Sequence, residues 1–296
     1  MPLNLFLQIA TLCLSIILLT KGADWLVDSA SNIARGLRIS ESTIGLTFVA
    51  LGTSAPEFSV SIQALLVGNS DIAIANIVGS NIANIGLILG LGAILLPISD
   101  NSIWKESLFL TVISLLLYLA IAGFSLPTKQ IITTSKYQGF FFLCLFFKYW
   151  GYIWKTSIEE RKVITDVSEK MKLKDFFFFF IGLSLLILGG KWLVGSASSI
   201  AKFMGMSDWL IGVTIVSLGT SAPEMVTTFI GLWKKKAGLV LGNLIGSDIF
   251  NILLVLGTIL SSTEIAISYI IQRNIGLLLI MNCLLLFFLL TGKKVS

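Results

Sequence analysis

Long hydrophobic segments follow one another along almost the whole chain of 296 residues, separated by short polar stretches. A helix needs about 20 apolar residues to cross a bilayer, and the pattern predicts nine such spans. They lie near residues 5–33, 42–67, 70–97, 105–124, 137–154, 175–204, 208–233, 237–261 and 268–291. The longest spans exceed what a crossing requires, so we expect them to be tilted or broken. The pattern therefore predicts an all-α polytopic membrane protein.

The composition also indicates a membrane protein, because 55% of the residues are hydrophobic and only 12% are charged, which is outside the range of soluble domains. The chain contains no histidine. This excludes histidine-ligated metal sites and leaves any acid–base chemistry to carboxylates. The three cysteines, Cys13, Cys144 and Cys283, lie in apolar runs without metal-ligand spacing, and we interpret them as packing residues.

The distribution of lysine and arginine predicts the orientation of the chain. If the N-terminus lies outside, the inner loops and the C-terminal tail carry 14 basic residues and the outer loops carry 4. Because cytoplasmic loops are enriched in Lys and Arg, we expect the N-terminus outside and the C-terminus inside. The net charge of +5 is then a topology signal, and we expect no nucleic-acid partner.

The sequence contains an internal repeat. A shift of 167 residues places residues 24–57 on residues 191–224, with 20 of 34 positions identical, and 76–90 on 243–257. We interpret 1–154 as a first repeat of five spans, 155–174 as a cytoplasmic linker with exposed charges, and 175–296 as a second repeat. Because five is odd, the second repeat has inverted topology. Transporters of this architecture bind their substrate near the midplane, where the repeats meet.

Each repeat places a glutamate, Glu57 or Glu224, inside a predicted span, at the end of the sequence GTSAPE. A charge at this depth costs at least about 2.5–3.5 kcal/mol, and no basic residue lies within one helical turn. The proline before each glutamate leaves the carbonyl group four residues earlier without its helical hydrogen bond. We therefore expect a bound cation or a proton at each carboxylate.

Further oxygen donors accompany the two glutamates. Helical spacing places Thr53 and Ser54 beside Glu57, Thr220 and Ser221 beside Glu224, Ser80 beside Asn84, and Ser247 beside Asn251. Carboxylate, amide, hydroxyl and carbonyl oxygens are ligands for Ca²⁺ and Na⁺ rather than for soft transition metals. Two carboxylates match one Ca²⁺ or two or more Na⁺, and competition for the same oxygens is a sufficient basis for exchange.

Two GTSAPE motifs, each followed by a GSxxxN segment, resemble the cation/Ca²⁺ exchanger superfamily, specifically the prokaryotic sodium/calcium exchangers. The resemblance covers nearly the whole chain. It implies ten helices in two inverted halves of five, and no cofactor. It assigns Ca²⁺ to Glu57, Asn84, Glu224 and Asn251, with Thr53 and Thr220. It assigns flanking Na⁺ sites to Ala50, Thr53, Ser54 and Ser80, and to Ser217, Thr220, Ser221 and Ser247.

The chain departs from this family pattern in two respects. Some members have aspartate where this chain has Asn251, and here the acid is Asp248, three residues earlier. Asp248 points about 60° away from Asn251 on a helix of 3.6 residues per turn, so we expect it either to line an access path or to face a neighbouring helix. The nine predicted spans also leave the tenth helix of the family absent.

The expected function is secondary active antiport of Ca²⁺ and Na⁺ by alternating access, by a single chain in the plasma (inner) membrane of a prokaryote. We do not expect an enzyme. Three alternatives remain open: exchange of Ca²⁺ for protons carried by Glu57 and Glu224, a passive Ca²⁺ channel, and a scaffold without transport.

Three charged residues of the first span, Lys21, Asp24 and Asp28, lie in one stripe on one side of the predicted helix. We expect them either to gate the entry of ions from the cytoplasm or to form an ion pair near the inner surface.

Overall fold

A computed structural model describes residues 2–96, 103–122, 132–164, 172–207, 211, 214–215 and 217–291. Helices make up almost all of it, as the hydrophobic pattern predicts. In this described part, the only strands are Ile132–Thr133 (β1) and Ala266–Ile267 (β2). They pair antiparallel, with Ile132 opposite Ile267, and link the segments that precede two long helices. The pairing joins the two halves at one end of the bundle.

In the first half, the second and third predicted spans are built from short helical segments joined end to end. Each contains a π-helical stretch, in which hydrogen bonds reach one residue further than in an α-helix. The helices are α1 (Pro2–Leu37), α2 (Glu41–Ile44), π1 (Gly45–Val49), α3 (Ala50–Thr53), α4 (Ala55–Leu66), α5 (Ser70–Ile82), π2 (Ala83–Leu89), α6 (Gly90–Leu95), α7 (Trp104–Ala122) and α8 (Lys136–Val163).

The second half repeats this construction. The helices are α9 (Leu173–Phe203), α10 (Ser217–Thr220), α11 (Ala222–Trp233), α12 (Ala237–Phe250), π3 (Asn251–Leu256), α13 (Gly257–Ser262) and α14 (Tyr269–Thr291). In the described part of the chain, six helices are long and apolar enough to cross a membrane: Leu5–Leu37, Ser70–Leu95, Trp104–Ile121, Leu173–Phe203, Ala237–Ser262 and Tyr269–Thr291. The other three predicted spans are 42–67, 137–154 and 208–233. The first corresponds to the segments from α2 to α4, the second to α8, where Lys148 interrupts the apolar run, and the described part of the third to α10 and α11.

The predicted linker 155–174 is partly helical. Helix α8 continues to Val163, nine residues beyond the predicted end of its span, and α9 begins at Leu173. A hydropathy pattern marks where a helix leaves the membrane rather than where it ends. One linker charge, expected to be exposed, is half-buried: Glu160 Oε2 accepts hydrogen bonds from Ser40 N and Thr43 Oγ1, both at 3.0 Å. Glu160 therefore attaches α8 to the start of α2.

The backbone shows the duplication independently of the side chains. Among the residues that the structure describes, four have a positive φ angle: Arg38 (58°), Gly68 (78°), Gly205 (85°) and Lys235 (60°). They form two pairs, each separated by the 167 residues of the repeat, and each residue lies just after a helix. A left-handed residue is a common way to end a helix. The chain therefore reverses direction in the same way at equivalent points of the two halves.

Helices α1 and α9 cross the molecule side by side and approach each other closely at glycines. A Cβ atom on Gly22 would lie 2.7 Å from the carbonyl oxygen of Gly182, and one on Gly182 would lie equally near the carbonyl oxygen of Gly22. At the equivalent point, a Cβ on Gly189 would lie 3.1 Å from the carbonyl oxygen of Ser15. The two contacts show that the helices run antiparallel. Small residues permit such close packing between membrane helices.

A bulky residue at Gly182 is expected to destabilise the protein, because there is no room for it between α1 and α9. Overpacking costs about 1–3 kcal/mol, so Gly182→Leu should lower the thermal unfolding temperature in detergent. Gly195→Leu is the matched control on the same helix, since a Cβ there meets no atom within 4 Å. Equal unfolding temperatures for the two variants would contradict this account of the packing.

Candidate cation-binding site

Both glutamates lie just after a break in a membrane helix. Ser54 separates α3 from α4, with φ −82° and ψ 3°, and Ser221 separates α10 from α11, with φ −85° and ψ 9°. Proline is tolerated in the first turn of a helix because no intrahelical bond to its nitrogen is lost there. Each helix therefore restarts one residue before its proline, and Glu57 and Glu224 fall in the first turn, where the helix dipole favours a negative charge.

The breaks bring the two halves into reciprocal contact. Ser54 Oγ donates a hydrogen bond to Glu224 Oε1 at 3.3 Å, and Ser221 Oγ donates one to Glu57 Oε1 at 3.2 Å. Both glutamates are 1% exposed. The serine of each motif therefore holds the carboxylate of the other motif, and the two carboxylates lie in one interior region between the repeats.

Thr53 extends the contact between the halves. Its Oγ1 donates a hydrogen bond to Asn243 Oδ1 at 3.0 Å and lies 3.4 Å from Ser247 Oγ and 3.5 Å from the carbonyl oxygen of Ala50. Thr220 is buried at the equivalent position in the second half. These contacts place hydroxyl, amide and carbonyl oxygens beside the broken helix.

One predicted site residue bonds within its own helix, and the side chain of another cannot be placed among these contacts. Ser80 is buried, but its hydroxyl donates to the carbonyl oxygen of Asn76, one turn earlier on its own helix, at 2.9 Å. Ser217 lies at the start of α10, and its side chain is outside the described residues.

The asparagines lie where α-helix passes into π-helix, and their orientation follows from their partners. Asn84 Nδ2 donates to Asp248 Oδ1 at 2.9 Å. Asn81 Nδ2 donates to the carbonyl oxygen of Asp248 at 3.2 Å, and this orientation turns Asn81 Oδ1 toward Asn251, whose Nδ2 donates to it at 2.9 Å. Because both Asn84 and Asn251 use their nitrogen in this way, the amide oxygens of both residues remain available to a ligand.

Five buried oxygen atoms of this region have no hydrogen-bond partner: Glu57 Oε2, Asn84 Oδ1, Glu224 Oε2, Asp248 Oδ2 and Asn251 Oδ1. An unsatisfied buried acceptor costs about 1–3 kcal/mol, and a charged one costs more. None of the ion pairs within the described residues involves these carboxylates. A cation would satisfy several of these oxygens at once, and hard oxygen donors suit Ca²⁺ or Na⁺.

The geometry limits how such a cation would be held. Within the described part of the chain, no group of three or more acidic, cysteine or histidine side chains lies close enough together to hold a metal ion. The ligand set would therefore combine carboxylate oxygens with amide, hydroxyl and carbonyl oxygens. Mixed oxygen sets of this kind are the ordinary ligands of Ca²⁺ in proteins.

A cavity of about 530 Å³ approaches this region from one side. Its wall includes Ser59, Gln63, Lys191 and Thr220, together with Pro56. Lys191 is the repeat counterpart of Asp24. Because α1 and α9 run antiparallel, these two residues lie on opposite sides of the midplane, so the cavity opens away from Asp24.

An ion pair lies on the side of Asp24, with a lysine partner that the stripe on α1 does not contain. Lys234 Nζ lies 2.6 Å from Asp24 Oδ1 and 2.8 Å from Asp28 Oδ1, whereas Lys21 is exposed. Partial burial lowers the pKa of Lys234, but the hydrogen bonds that its ammonium group donates to the two aspartates, together with their negative charge, outweigh this effect and raise the pKa. The lysine follows α11 and is remote in sequence, so the stripe on α1 could not reveal it.

Sequence reasoning identified the glutamates, hydroxyls and asparagines of the two motifs but missed three asparagines that support them. Asn81 joins Asn251 to Asp248, Asn243 holds Thr53, and Asn76 Nδ2 donates to the carbonyl oxygen of Glu57 at 3.3 Å. Asn76 and Asn243 occupy equivalent positions in the repeat. A polar residue kept in both copies of a buried helix is the signal that could have identified them.

An all-helical membrane fold with buried oxygen donors between two repeats is typical of cation transporters, and comparisons with known proteins identify the family. A sequence model described as "Sodium/calcium exchanger protein" matches residues 7–155 and 174–294. CaxA of Alkalimonas amylolytica, provisionally named an antiporter, is 41% identical over 82% of this chain and 76% of its own length. Sodium/calcium exchanger MaX1 of Methanosarcina acetivorans is 33% identical over 96% of this chain and 92% of its own length.

A solved structure agrees as well. The sodium-calcium exchanger NCX_Mj, soaked with Na⁺ and Sr²⁺, superposes with a TM-score of 0.84 and 30% sequence identity, over 99% of this chain and 93% of that one. The chain belongs to the sodium/calcium exchanger family, which confirms the resemblance drawn from the two motifs. It is an integral membrane cation/Ca²⁺ antiporter and not an enzyme, in a family that transports its ions without a cofactor.

Removal of either buried carboxylate charge is expected to abolish tight Ca²⁺ binding. Breaking a buried charge interaction costs about 3–5 kcal/mol, so Glu57→Gln or Glu224→Gln should raise the Kd for Ca²⁺ by about 100-fold or more. Equilibrium binding of ⁴⁵Ca²⁺ to the purified protein in detergent measures this. Glu264→Gln is the control, because Glu264 is exposed before β2; an unchanged Kd in either motif variant would contradict the assignment.

Proposed function

We propose that this chain exchanges Ca²⁺ for Na⁺ by alternating access. The observation that carries the proposal is the reciprocal contact between the motifs, in which each serine holds the other half's glutamate and leaves a carboxylate oxygen without a partner. A site shared by two halves is remodelled whenever the halves move relative to each other. Ion binding and the change of access are therefore coupled at the same residues.

In this proposal, Ca²⁺ is held by the oxygens that the motifs bring to the interface, and Na⁺ occupies the same region on either side of the Ca²⁺ position. The Ca²⁺ ligands are Glu57, Asn84, Glu224, Asn251, Thr53 and Thr220, and the flanking Na⁺ sites use Ala50, Ser54, Ser80, Ser217, Ser221 and Ser247 with the two threonines. The unpartnered oxygens of the glutamates and asparagines support this assignment. For Ser80, Na⁺ binding would use the hydroxyl oxygen while its hydrogen remains bonded to the helix.

Sodium is preferred to the proton as counter-ion because hydroxyl and carbonyl oxygens accompany each glutamate. A proton requires one carboxylate oxygen, whereas Na⁺ requires several oxygens around it. The names of MaX1 and NCX_Mj also describe sodium/calcium exchangers. Exchange of Ca²⁺ for protons is the second candidate, favoured by the burial of Glu57 and Glu224 without a basic partner.

The proposed orientation places the N-terminus outside and the loop around Lys234 inside the plasma membrane of a prokaryote, with a single chain as the functional unit. The cavity beside Lys191 then opens to the outside, and the ion pair of Lys234 closes the inside. Residues 1–154 and 175–296 form the two inverted repeats. An open outer passage and a closed inner surface are what alternating access requires of one of its two end states.

Reconstituted vesicles should take up ⁴⁵Ca²⁺ when Na⁺ is loaded inside and diluted outside. Each Ca²⁺ that enters must be matched by Na⁺ leaving, so uptake should stop when the Na⁺ gradient is removed. The Glu57→Gln protein should show no uptake above protein-free vesicles. Uptake driven by a pH gradient in Na⁺-free buffer would overturn Na⁺ as the counter-ion, and flux without any counter-ion would indicate a channel.

The loss of the Lys234 ion pair should loosen the closed surface. Partly exposed ion pairs contribute about 1 kcal/mol or less, so we expect Lys234→Gln to increase hydrogen–deuterium exchange a few-fold near the C-terminal end of α11 and around Asp24 and Asp28. Lys235→Gln is the matched control, because Lys235 is next to Lys234 in the sequence and its side chain is exposed. The same exchange rates in both variants would show that the pair does not close this surface.

A further inference from the structure

Asp248 is the third carboxylate of the interior, and the assigned ion positions do not use it. It lies on α12 and is 0% exposed. One of its oxygens, Oδ1, accepts a hydrogen bond from Asn84 Nδ2 at 2.9 Å, and the other, Oδ2, has no partner. Its contact with Asn84 connects it directly to the proposed Ca²⁺ position. It therefore faces the site rather than an access path.

The repeat itself shows what Asp248 contributes beyond that hydrogen bond. The repeat counterpart of Asp248 is Asn81, and Asn81 Oδ1 accepts a hydrogen bond from Asn251 at the same distance of 2.9 Å. An amide oxygen is therefore sufficient to orient the neighbouring asparagine in one half of the molecule. Aspartate in the other half provides the same acceptor together with a negative charge. The charge, and not the hydrogen bond, distinguishes the two halves.

A buried charge without an opposite charge is costly, by several kcal/mol even after relaxation. Within the described residues, no ion pair involves Asp248, and the amide of Asn84 is neutral. A cation bound at Oδ2 would satisfy both the charge and the unpartnered oxygen. The two glutamates already match the charge of one Ca²⁺, so the additional charge suits one monovalent cation.

We propose that Asp248 is a cation ligand of the exchange site, which adds one monovalent cation to those exchanged for each Ca²⁺. The proposal rests on the antiport function proposed above. In this arrangement, Oδ1 holds Asn84 with its amide oxygen turned toward the Ca²⁺ position, and Oδ2 contacts the additional ion. The residue therefore sets how much charge crosses the membrane in each exchange cycle.

Asp248→Asn tests this proposal, because it makes the position identical to its counterpart Asn81 and keeps an acceptor for Asn84. Vesicles with fixed Na⁺ and Ca²⁺ gradients are clamped at a series of membrane potentials with valinomycin and K⁺. The potential at which net ⁴⁵Ca²⁺ flux stops gives the number of Na⁺ ions exchanged per Ca²⁺. We expect this number to fall by one in Asp248→Asn and to remain unchanged in Asp71→Asn, which removes an exposed aspartate of α5.

The double variant Asn81→Asp with Asp248→Asn moves the charge to the equivalent position of the first half. It should restore the wild-type number of Na⁺ ions per Ca²⁺, which no loss of folding could produce. If Asp248→Asn is inactive in vesicles, Na⁺ binding to the purified protein replaces the flux measurement, and one fewer bound Na⁺ is expected. An unchanged ratio, or an unchanged number of bound Na⁺ ions, would overturn the proposal.

Failure of this proposal is distinguishable from failure of Na⁺/Ca²⁺ exchange. If protons rather than Na⁺ drive Ca²⁺ uptake in the wild type, the proposed counter-ion is wrong. The membrane potential at which net ⁴⁵Ca²⁺ flux stops is then measured for wild type and Asp248→Asn under a pH gradient. A change of one charge per Ca²⁺ would still support Asp248 as the ligand of a monovalent cation, and no change would overturn it.

Discussion

The structure depends on one constraint: the carboxylates of Glu57 and Glu224 are buried in a membrane protein without a basic partner among the described residues. The helix breaks that the prolines produce help to accommodate these carboxylates. A break at Ser54 or Ser221 places a glutamate in the first turn of a new helix and turns a serine toward the opposite half. The interface between the repeats is polar for this reason, although the rest of the interior is apolar. We propose that a cation supplies the missing charge.

The duplicated architecture and the principal residues could be predicted from the sequence, because their causes are local. Proline before each glutamate predicts a broken helix, and the 167-residue repeat predicts that Glu57 and Glu224 occupy equivalent places. The positive φ angles, which recur at the same spacing, show that the backbone follows this repeat. Local helical spacing also brought Asn84 and Asn251 onto the list of candidate ligands.

The features that sequence reasoning missed all depend on contacts between distant segments. The partner of Asp24 and Asp28 is Lys234, more than 200 residues away, and no pattern within α1 contains that information. Glu160 was interpreted as an exposed linker charge, but the path of α8 brings it to α2. Hydropathy also could not separate the end of a membrane span from the end of a helix. Asn81 was missed because its importance arises only when α5 and α12 meet.

The two halves are similar but not equivalent, and their differences distinguish the two sides of the membrane. An open cavity lies beside Lys191, whereas the equivalent position on the other side, Asp24, is closed by an ion pair. In the centre, Asp248 is matched by a neutral asparagine. A symmetric duplication would make the two access states equally favourable, and these substitutions make one side differ from the other in charge.

In the proposed mechanism, Ca²⁺ and Na⁺ compete for the same buried oxygens. Equilibrium binding of ⁴⁵Ca²⁺ to the purified protein, at constant ionic strength with choline replacing Na⁺, tests it most directly. We predict that Na⁺ raises the apparent Kd for Ca²⁺ without changing the number of Ca²⁺ sites, and more steeply than in proportion to its concentration. A Kd for Ca²⁺ that does not depend on Na⁺ would contradict a shared site.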